Sequence, residues 1–253
     1  EAEERALQRG YESDVERERQ AAEAAAREAM TDEERAAQKA KVQATLESRK
    51  KEAQEQRDKM TKSLEPGNQR FVIDLDFDGL MPEGDMRSLC QQLSYSYSAN
   101  KRAAAPLHMH MLGFKGPIKD LADKLVTGMP HWYVTKSEQS VAQFFEGRLS
   151  EVVYLTADSD VELQTLDPAK AYVIGGIVDH NKHKGLCLNR AKAAGIATAR
   201  LPIQKHVQLE SSTVLAVNHV VQILVEYTQR KDWAAVLDDV LPKRKRADGG
   251  KRK

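Results

Sequence analysis

From Arg70 onward, short apolar runs alternate with stretches of helical spacing. Phe71-Val72-Ile73-Asp74-Leu75 reads as a buried strand. Between Asp85 and Lys101, Met86, Leu89, Cys90 and Leu93 recur on one face, which predicts a helix. Leu107–Leu112 reads as a strand and Ile118–Val126 as a helix. Trp132-Tyr133-Val134 reads as a strand, and Ser137–Gly147 as a helix. Val152–Leu155 and Ala171–Ile174 are the next two apolar runs. Leu186–Ala194 follows as a helix ending at Gly195, a common cap residue. Ile196–Arg200 is a strand stopped by Pro202. Thr213–Arg230 is a long amphipathic helix, and Trp233–Leu241 a short last one. Strands alternating with helices predict a mostly parallel α/β sheet covered on both faces.

Residues 1–63 follow another rule. Glu, Arg, Lys, Ala and Gln dominate, without Pro or Trp, and no apolar face recurs. Runs such as Ala21-Ala22-Glu23-Ala24-Ala25-Ala26-Arg27 favour helix, and pairs such as Glu47 with Lys51 support an exposed one. The segment reads first as a solvated charged helix or partly disordered arm, and alternatively as an RNA-contacting arm using Arg49, Lys50, Lys51, Arg57, Lys59 and Lys62. Pro66-Gly67-Asn68 is turn chemistry and closes it. The expected organisation is an arm over 1–63, a domain over 70–242 and a basic tail over 243–253. The tail, Lys243-Arg244-Lys245-Arg246 with Lys251-Arg252-Lys253, reads as a solubilising end, a phosphate-binding extension or a nuclear address.

Composition narrows the class. The 253 residues are 41% hydrophobic and 30% charged with a net charge of +1, which suits a globular domain with a polar appendage. No run of eighteen apolar residues occurs, so no membrane span is expected. The start is charged and lacks the apolar stretch of a secretory leader. It opens on Glu1, which leaves a fragment or a processed form open. Two cysteines make a disulfide framework improbable and favour cytosol or nucleus.

In an open parallel sheet, ligands sit beyond the carboxyl ends of the strands. Three strand ends matter: Leu155-Thr156-Ala157-Asp158, Ile174-Gly175-Gly176-Ile177-Val178-Asp179-His180-Asn181, and Arg200-Leu201-Pro202-Ile203. Gly175-Gly176 allows positive φ and close backbone approach to a ligand. The pair belongs to neither a Gly-x-Gly-x-x-Gly fingerprint nor a phosphate loop, so a ligand held by backbone groups fits better. Asp179 is either a turn-capping carboxylate or a general base tuned by a half-buried pocket. Asp179, His180 and His183 are too loosely spaced for a metal site, and none is expected. His108 and His110 share one face of a strand, the usual mark of packing. Cys187 lacks a His at motif spacing, and no Gly-x-Ser-x-Gly elbow occurs. The residues alone reach an α/β domain with a ligand site around Asp179.

Several segments, in order, carry a resemblance. Tyr172–Leu186, with its Gly175-Gly176-Ile177-Val178-Asp179-His180-Asn181-Lys182-His183-Lys184-Gly185 core, resembles the eukaryotic and archaeal family of tRNA N1-purine methyltransferases acting on the ninth nucleotide, tRNA (guanine(9)-N(1))-methyltransferases of the SPOUT class. Phe71–Asp78, Tyr97–Ala103 with Pro106, Tyr154–Ser159, Ala193–Ile196, Arg200–Ile203, Val214–Val220, Asp232-Trp233 and Leu241-Pro242 agree with it. The resemblance covers about residues 70–242 and passes over Gly113–Arg148 without a motif. It implies a SPOUT-type fold with a C-terminal trefoil knot and bent S-adenosylmethionine held largely by backbone. The implied cofactor contacts are Leu155, Thr156, Gly175, Gly176, Asp179, His180, Asn181, Lys182, His183, Lys184, Leu186, Cys187, Leu188, Leu201, Pro202, Thr213, Val214, Leu215 and Ala216. The implied catalytic residue is Asp179, as a base for the proton on guanine N1. Asn100 and Arg102 in the matched helix end, with Lys101, Lys115 and Lys119, are expected to bind the tRNA.

The resemblance also implies a monomer without membrane contact and leaves a protein partner open. Two rivals stand beside it. One is a catalytically weak tRNA-binding subunit of an RNA-processing assembly. The other is an unrelated α/β hydrolase or transferase using Asp158 and Asp179 as paired carboxylates, which predicts no affinity for S-adenosylmethionine. Guanine or adenine preference and the set of tRNAs are not legible.

Overall fold

A computed structural model describes residues 15–22, 29–180, 182–207 and 214–241. The chain divides into two compact units, Glu1–Glu55 and Gln56–Lys253. Asn181, Thr213 and the basic tail, with part of the N-terminal arm, lie outside the described residues.

Helix α1 spans Asp32–Ser63. Thr31 and Glu34 start it reciprocally: Thr31 Oγ1 accepts from the Glu34 N–H, and Glu34 Oε2 accepts from the Thr31 N–H. Asp32, Glu33 and Glu34 in its first turn match the positive end of the helix dipole. Its residues are mostly exposed, as the missing apolar face predicts, but Met60 and Ser63 are buried. Gln56 donates to the Lys101 carbonyl and Lys59 to the Ala103 carbonyl, at 2.9 Å each. The last two turns of α1 are therefore built into the second unit.

That unit is an α/β sheet. Its strands are β1 (Arg70–Asp74), β2 (His108–Leu112), β3 (Thr135–Ser137), β4 (Val152–Leu155), β5 (Ala171–Gly175) and β6 (Ala197–Ala199). They lie in the order β3-β2-β1-β5-β4-β6, every pairing parallel. The helices are α2 (Glu83–Arg102), α3 (Gly116–Leu125), α4 (Val141–Phe144), α5 (Leu186–Ala193), α6 (Ile203–His206), α7 (Val217–Arg230) and α8 (Trp233–Val240).

Strand alternation divides the core. Phe71 and Ile73 of β1, with Tyr172 and Ile174 of β5, face a large layer shared with Leu89 and Leu93 of α2, Ile118 of α3 and Leu224 of α7. Val72, Val173 and Tyr154 face a smaller layer closed by Val141, Phe145, Ala191 and Ile196. Both faces of the central strands are dry, which is why they read as unbroken apolar runs. Helices α2 and α7 pack on each other. Lys231 in the left-handed region (φ 57°) ends α7, and Asp232 caps α8 by accepting from the Ala235 N–H at 3.1 Å.

Three predicted elements are displaced. Trp132-Tyr133-Val134 is not a strand; β3 begins at Thr135. Trp132 instead stacks on Tyr97 of α2, ring centroids 4.3 Å apart, so its apolar surface is satisfied outside the sheet. The helix expected over Ser137–Gly147 is one turn, α4, held by a capping box between Ser140 and Gln143. Helix α7 starts at Val217 rather than Thr213, and Val214–Ala216 form an irregular lead-in.

Candidate active site

A crevice opens where the topology predicts, beyond the carboxyl ends of β4, β5 and β6. The loop after β4 contributes Leu155, Thr156, Ala157 and Asp158. The β5 end contributes Ile174, Gly175, Ile177, Asp179 and His183, and α5 contributes Leu186 and Cys187. Arg200, Leu201, Ile203 and Gln204 follow β6, and Val214, Leu215 and Val220 lead into α7.

Of the residues expected to hold the cofactor, Leu155, Thr156, Gly175, Asp179, His183, Leu186, Cys187, Leu201, Val214 and Leu215 line this crevice. Gly176, His180, Lys182, Lys184, Leu188, Pro202 and Ala216 are not among its lining residues. Asn181 and Thr213 lie outside the described residues. Ile177, Arg200, Ile203 and Val220, from the strand ends and segments already marked, also line it, and Gln204 lines it without having been named in the sequence reading.

Gly175 and Gly176 do different work from that expected. Neither has positive φ. A Cβ on Gly176 would sit 2.6 Å from the Asp74 carbonyl oxygen, and the Gly176 N–H donates to that same oxygen at 2.7 Å. A Cβ on Gly175 would sit 2.6 Å from Cys187 Sγ. The pair is demanded by space: one glycine lets β5 close on the end of β1, the other leaves room for α5 under the crevice.

Two carboxylates shape the loop over the crevice. Asp179 is half-buried, and its Oδ2 accepts from the His183 N–H at 2.9 Å, so it caps a turn while lining the crevice. Asp158 Oδ2 accepts from the Gly185 N–H at 3.0 Å. The turn-capping contact is thus observed, and the carboxylate also faces the crevice.

Beneath the floor lies a buried ionic network. Asp74, 1% exposed, accepts from Tyr154 Oη at 2.9 Å and pairs with Arg190 at 3.3 Å. Arg190 also reaches the Asp76 carboxylate at 2.7 Å and the Asp76 carbonyl at 2.6 Å, and covers the Phe77 ring at 4.7 Å. Lys115 pairs with Asp76 at 3.2 Å. Burial pushes the Asp74 carboxyl up, while Arg190 and then Tyr154 pull it back toward the charged form. Burial also pushes the Cys187 thiol up to about 11, which fits its reading as a lining residue rather than a nucleophile.

Among the expected RNA contacts, Asn100 is a correction. It is fully buried, and its side-chain amide bonds both the N–H and the carbonyl of Leu107 at 2.8 Å each. It ties the end of α2 to the residue before β2, and its side chain offers no exposed surface for a phosphate. Lys101 and Arg102 are exposed, and neither pairs with a carboxylate among the described residues. Lys115 and Lys119 are each neutralised, by Asp76 and by Asp123. His108 and His110 stack with centroids 4.1 Å apart, as packing predicts. Among the described residues no cluster of His, Cys, Asp or Glu has metal-site geometry, and no helix is long and apolar enough to cross a membrane.

The parallel sheet and its crevice define an α/β protein with a cavity at the ends of its C-terminal strands. Residues 3–246 match the model of the tRNA (guanine(9)-N(1))-methyltransferase TRM10/TRM10A family, and the chain belongs to that family. A tRNA (guanine(9)-N1)-methyltransferase of Candida glabrata is 38% identical over 177 residues, 69% of this chain and 62% of that protein. A rat (Rattus norvegicus) tRNA methyltransferase 10 homolog A is 38% identical over 193 residues, 76% of this chain and 57% of that protein. The chain thus spans about three fifths of the length of these relatives. A crystal structure of full-length spTrm10 with SAH superposes with a TM-score of 0.66 at 37% identity, covering 72% of this chain and 97% of that one. A Trm10 protein of Thermococcus kodakaraensis shares the fold at 19% identity, with a TM-score of 0.54.

Proposed function

We propose that this chain methylates N1 of guanine at the ninth nucleotide of tRNA, with S-adenosylmethionine in the crevice and Asp179 as base. One observation carries the reading. In a member of this family, the crevice at the strand ends is lined by Asp179 together with the loops that the resemblance assigns to the cofactor.

The residues present fit the cofactor. Leu155, Ile177, Leu201 and Leu215 offer apolar walls for a flat ring, and Thr156, Gln204, Asp158 and Asp179 offer polar groups. Gly175 leaves that cradle open beside Cys187. The spTrm10 complex contains SAH, the demethylated form of the same molecule. When bound, S-adenosylmethionine supplies an electrophilic methyl group.

The chain's residues then have separable tasks. Guanine N1 carries a proton at neutral pH. Its lone pair is released for the new N–C bond only as that proton leaves, and Asp179 receives it. A positioned base contributes on the order of 10²–10⁴-fold. Crevice walls that hold the base in line contribute further, by removing the entropy of encounter. A target inside folded tRNA must leave its stack to reach the crevice.

Phosphates are held by cations without acidic partners. Lys182 and Lys184 flank the lining residue His183, and Lys205 follows the lining residue Gln204. All three are exposed and pair with no carboxylate among the described residues. They serve here as gripping groups at the mouth rather than as cofactor contacts. Lys101 and Arg102 close the last turn of α2, a helix about 30 Å long for its twenty residues. In this reading they grip a distant part of the same tRNA.

The family's trefoil knot belongs to the proposal. Its support is membership of the family, and the C-terminal helices are fastened to the loop between β4 and β5. Trp233 Nε1 donates to the Gln164 carbonyl at 2.8 Å, and Tyr227 Oη bonds Thr165 Oγ1 at 3.1 Å. We take 70–242 as the methyltransferase domain, acting as a monomer.

The test is incubation with labelled S-adenosylmethionine and two unmodified tRNA transcripts, one with G and one with A at the ninth nucleotide. Label at N1 of G9 is expected. No label on either, with SAH binding intact, overturns the activity. Asp179→Asn is expected to slow single-turnover transfer about 10²–10⁴-fold with SAH affinity kept. An unchanged rate removes Asp179 as base.

A further inference from the structure

The loop that carries Asp179 is held from outside the crevice. The residues on both sides of Asp179 reach the same short segment at the start of α2. Before it, the Val178 N–H donates to Met81 Sδ at 3.3 Å, and Met81 is only 8% exposed. After it, His180 Nε2 lies 3.1 Å from Asp85 Oδ1. Between these anchors Asp179 lines the crevice, and its own Oδ2 holds the His183 N–H.

His180 adopts φ 51°, one of only two non-glycine residues with positive φ among the described residues. A side chain there is strained, and such strain persists where the surroundings impose it. The surrounding group is Asp85, whose side chain is 18% exposed against 66% for His180. The less exposed partner therefore sits on the helix and the more exposed one on the loop.

We propose that Asp85 is a positioning residue: through His180 it fixes the loop conformation that turns Asp179 into the crevice. The proposal rests on Asp179 as the base assigned above. Asp85 is not among the residues lining the crevice, so its loss misaims the base without removing a wall of the site. A displacement of about 1 Å at a reacting group costs up to about 10²-fold in rate.

Three variants test it: Asp85→Ala, Asp85→Asn and His180→Gly. Asn keeps an oxygen that accepts from His180. Gly keeps the positive φ and removes the tether while leaving α2 untouched. With G9 transcript, Asp85→Ala and His180→Gly are expected to lower the single-turnover rate about 10- to 100-fold. KM for tRNA and SAH affinity should stay within about twofold, and Asp85→Asn should recover most of the rate. Hydrogen exchange supplies a readout without turnover. Amides of Val178 and His183 should lose protection in Asp85→Ala, while that of Val173 in β5 keeps it. If Val173 also loses protection, His180→Gly decides, since α2 is intact there.

An unchanged rate in a parent that methylates G9 overturns the proposal. So does a raised KM with unchanged maximal rate, which assigns Asp85 and His180 to RNA binding. A parent that methylates no tRNA overturns the functional reading instead. The exchange data then decide the tether by themselves, unaltered loop protection counting against it.

Discussion

Arg190 is the residue on which most of the buried charge depends. It neutralises Asp74 directly and Asp76 beside it, under the floor formed by Gly175 and Cys187. Breaking a buried pair from one side costs about 3–5 kcal/mol, because the remaining charge stays desolvated. Arg190→Ala should therefore lower the unfolding midpoint sharply. Asp74→Asn in the same chain should restore part of the loss, since burial already favours the uncharged form of Asp74. Denaturant unfolding of the single and double variants checks this, and simple additivity would dissolve the network as a unit. None of this was legible in the sequence. Asp74 stands in an apolar run and Arg190 in a helix 116 positions on, and only the β1–β5 pairing brings α5 over the end of β1. Gly175-Gly176 was legible as a place of close approach, but its partners are the Asp74 carbonyl and Cys187 rather than a dihedral requirement.

At the scale of elements, the central strands read clearly because each is buried on both faces. Edge elements did not. Strand β3 is three half-buried residues without an apolar signal, and the apolar triplet before it packs on α2 instead. The pocket-lining residues Ile203 and Gln204 sit in a one-turn helix too short for any periodicity to show. Strand β2 also carries a titratable pair. Burial drives His110 down to about 3, with its neighbour His108 pushing the same way. An unfolded histidine titrates near 6.5. Between these values the unfolded chain binds the extra proton, so stability is complete above about pH 6.5 and declines as pH falls toward 3. One such proton gives a slope of at most about 1.4 kcal/mol per pH unit. His110→Phe should flatten the loss between pH 6 and 4, measured by unfolding at each pH. An unaltered slope would place the acid sensitivity elsewhere.

For the whole molecule, the boundary of the arm matters. Composition places its end at residue 63, yet Met60 is fully buried and Lys59 anchors the end of α2. Removing residues 1–55 should leave the unfolding midpoint of the sheet unit unchanged. Removing 1–62 should lower it, by the loss of a buried methionine worth about 2–5 kcal/mol. If the arm's cations meet RNA, the shorter truncation should also reduce the slope of log affinity against log salt by about one unit per lost phosphate contact. Equal slopes for both chains would exclude the arm from binding. Charge pattern revealed the arm, but not where its helix enters the core, since Met60 alone breaks a polar run.

Strand order has a consequence for synthesis. Strands β2 and β3 each pair with the one just before, so β1, β2 and β3 can assemble as they leave the ribosome. Strand β4 finds no neighbour among its predecessors: its two partners, β5 and β6, are both translated after it. The crevice rests on those three strands and on the start of α7, so a growing chain holds all its walls only after Val220 has been added. Until then β1, β2 and β3 can already be paired, while the strands that carry the crevice still wait for their last wall.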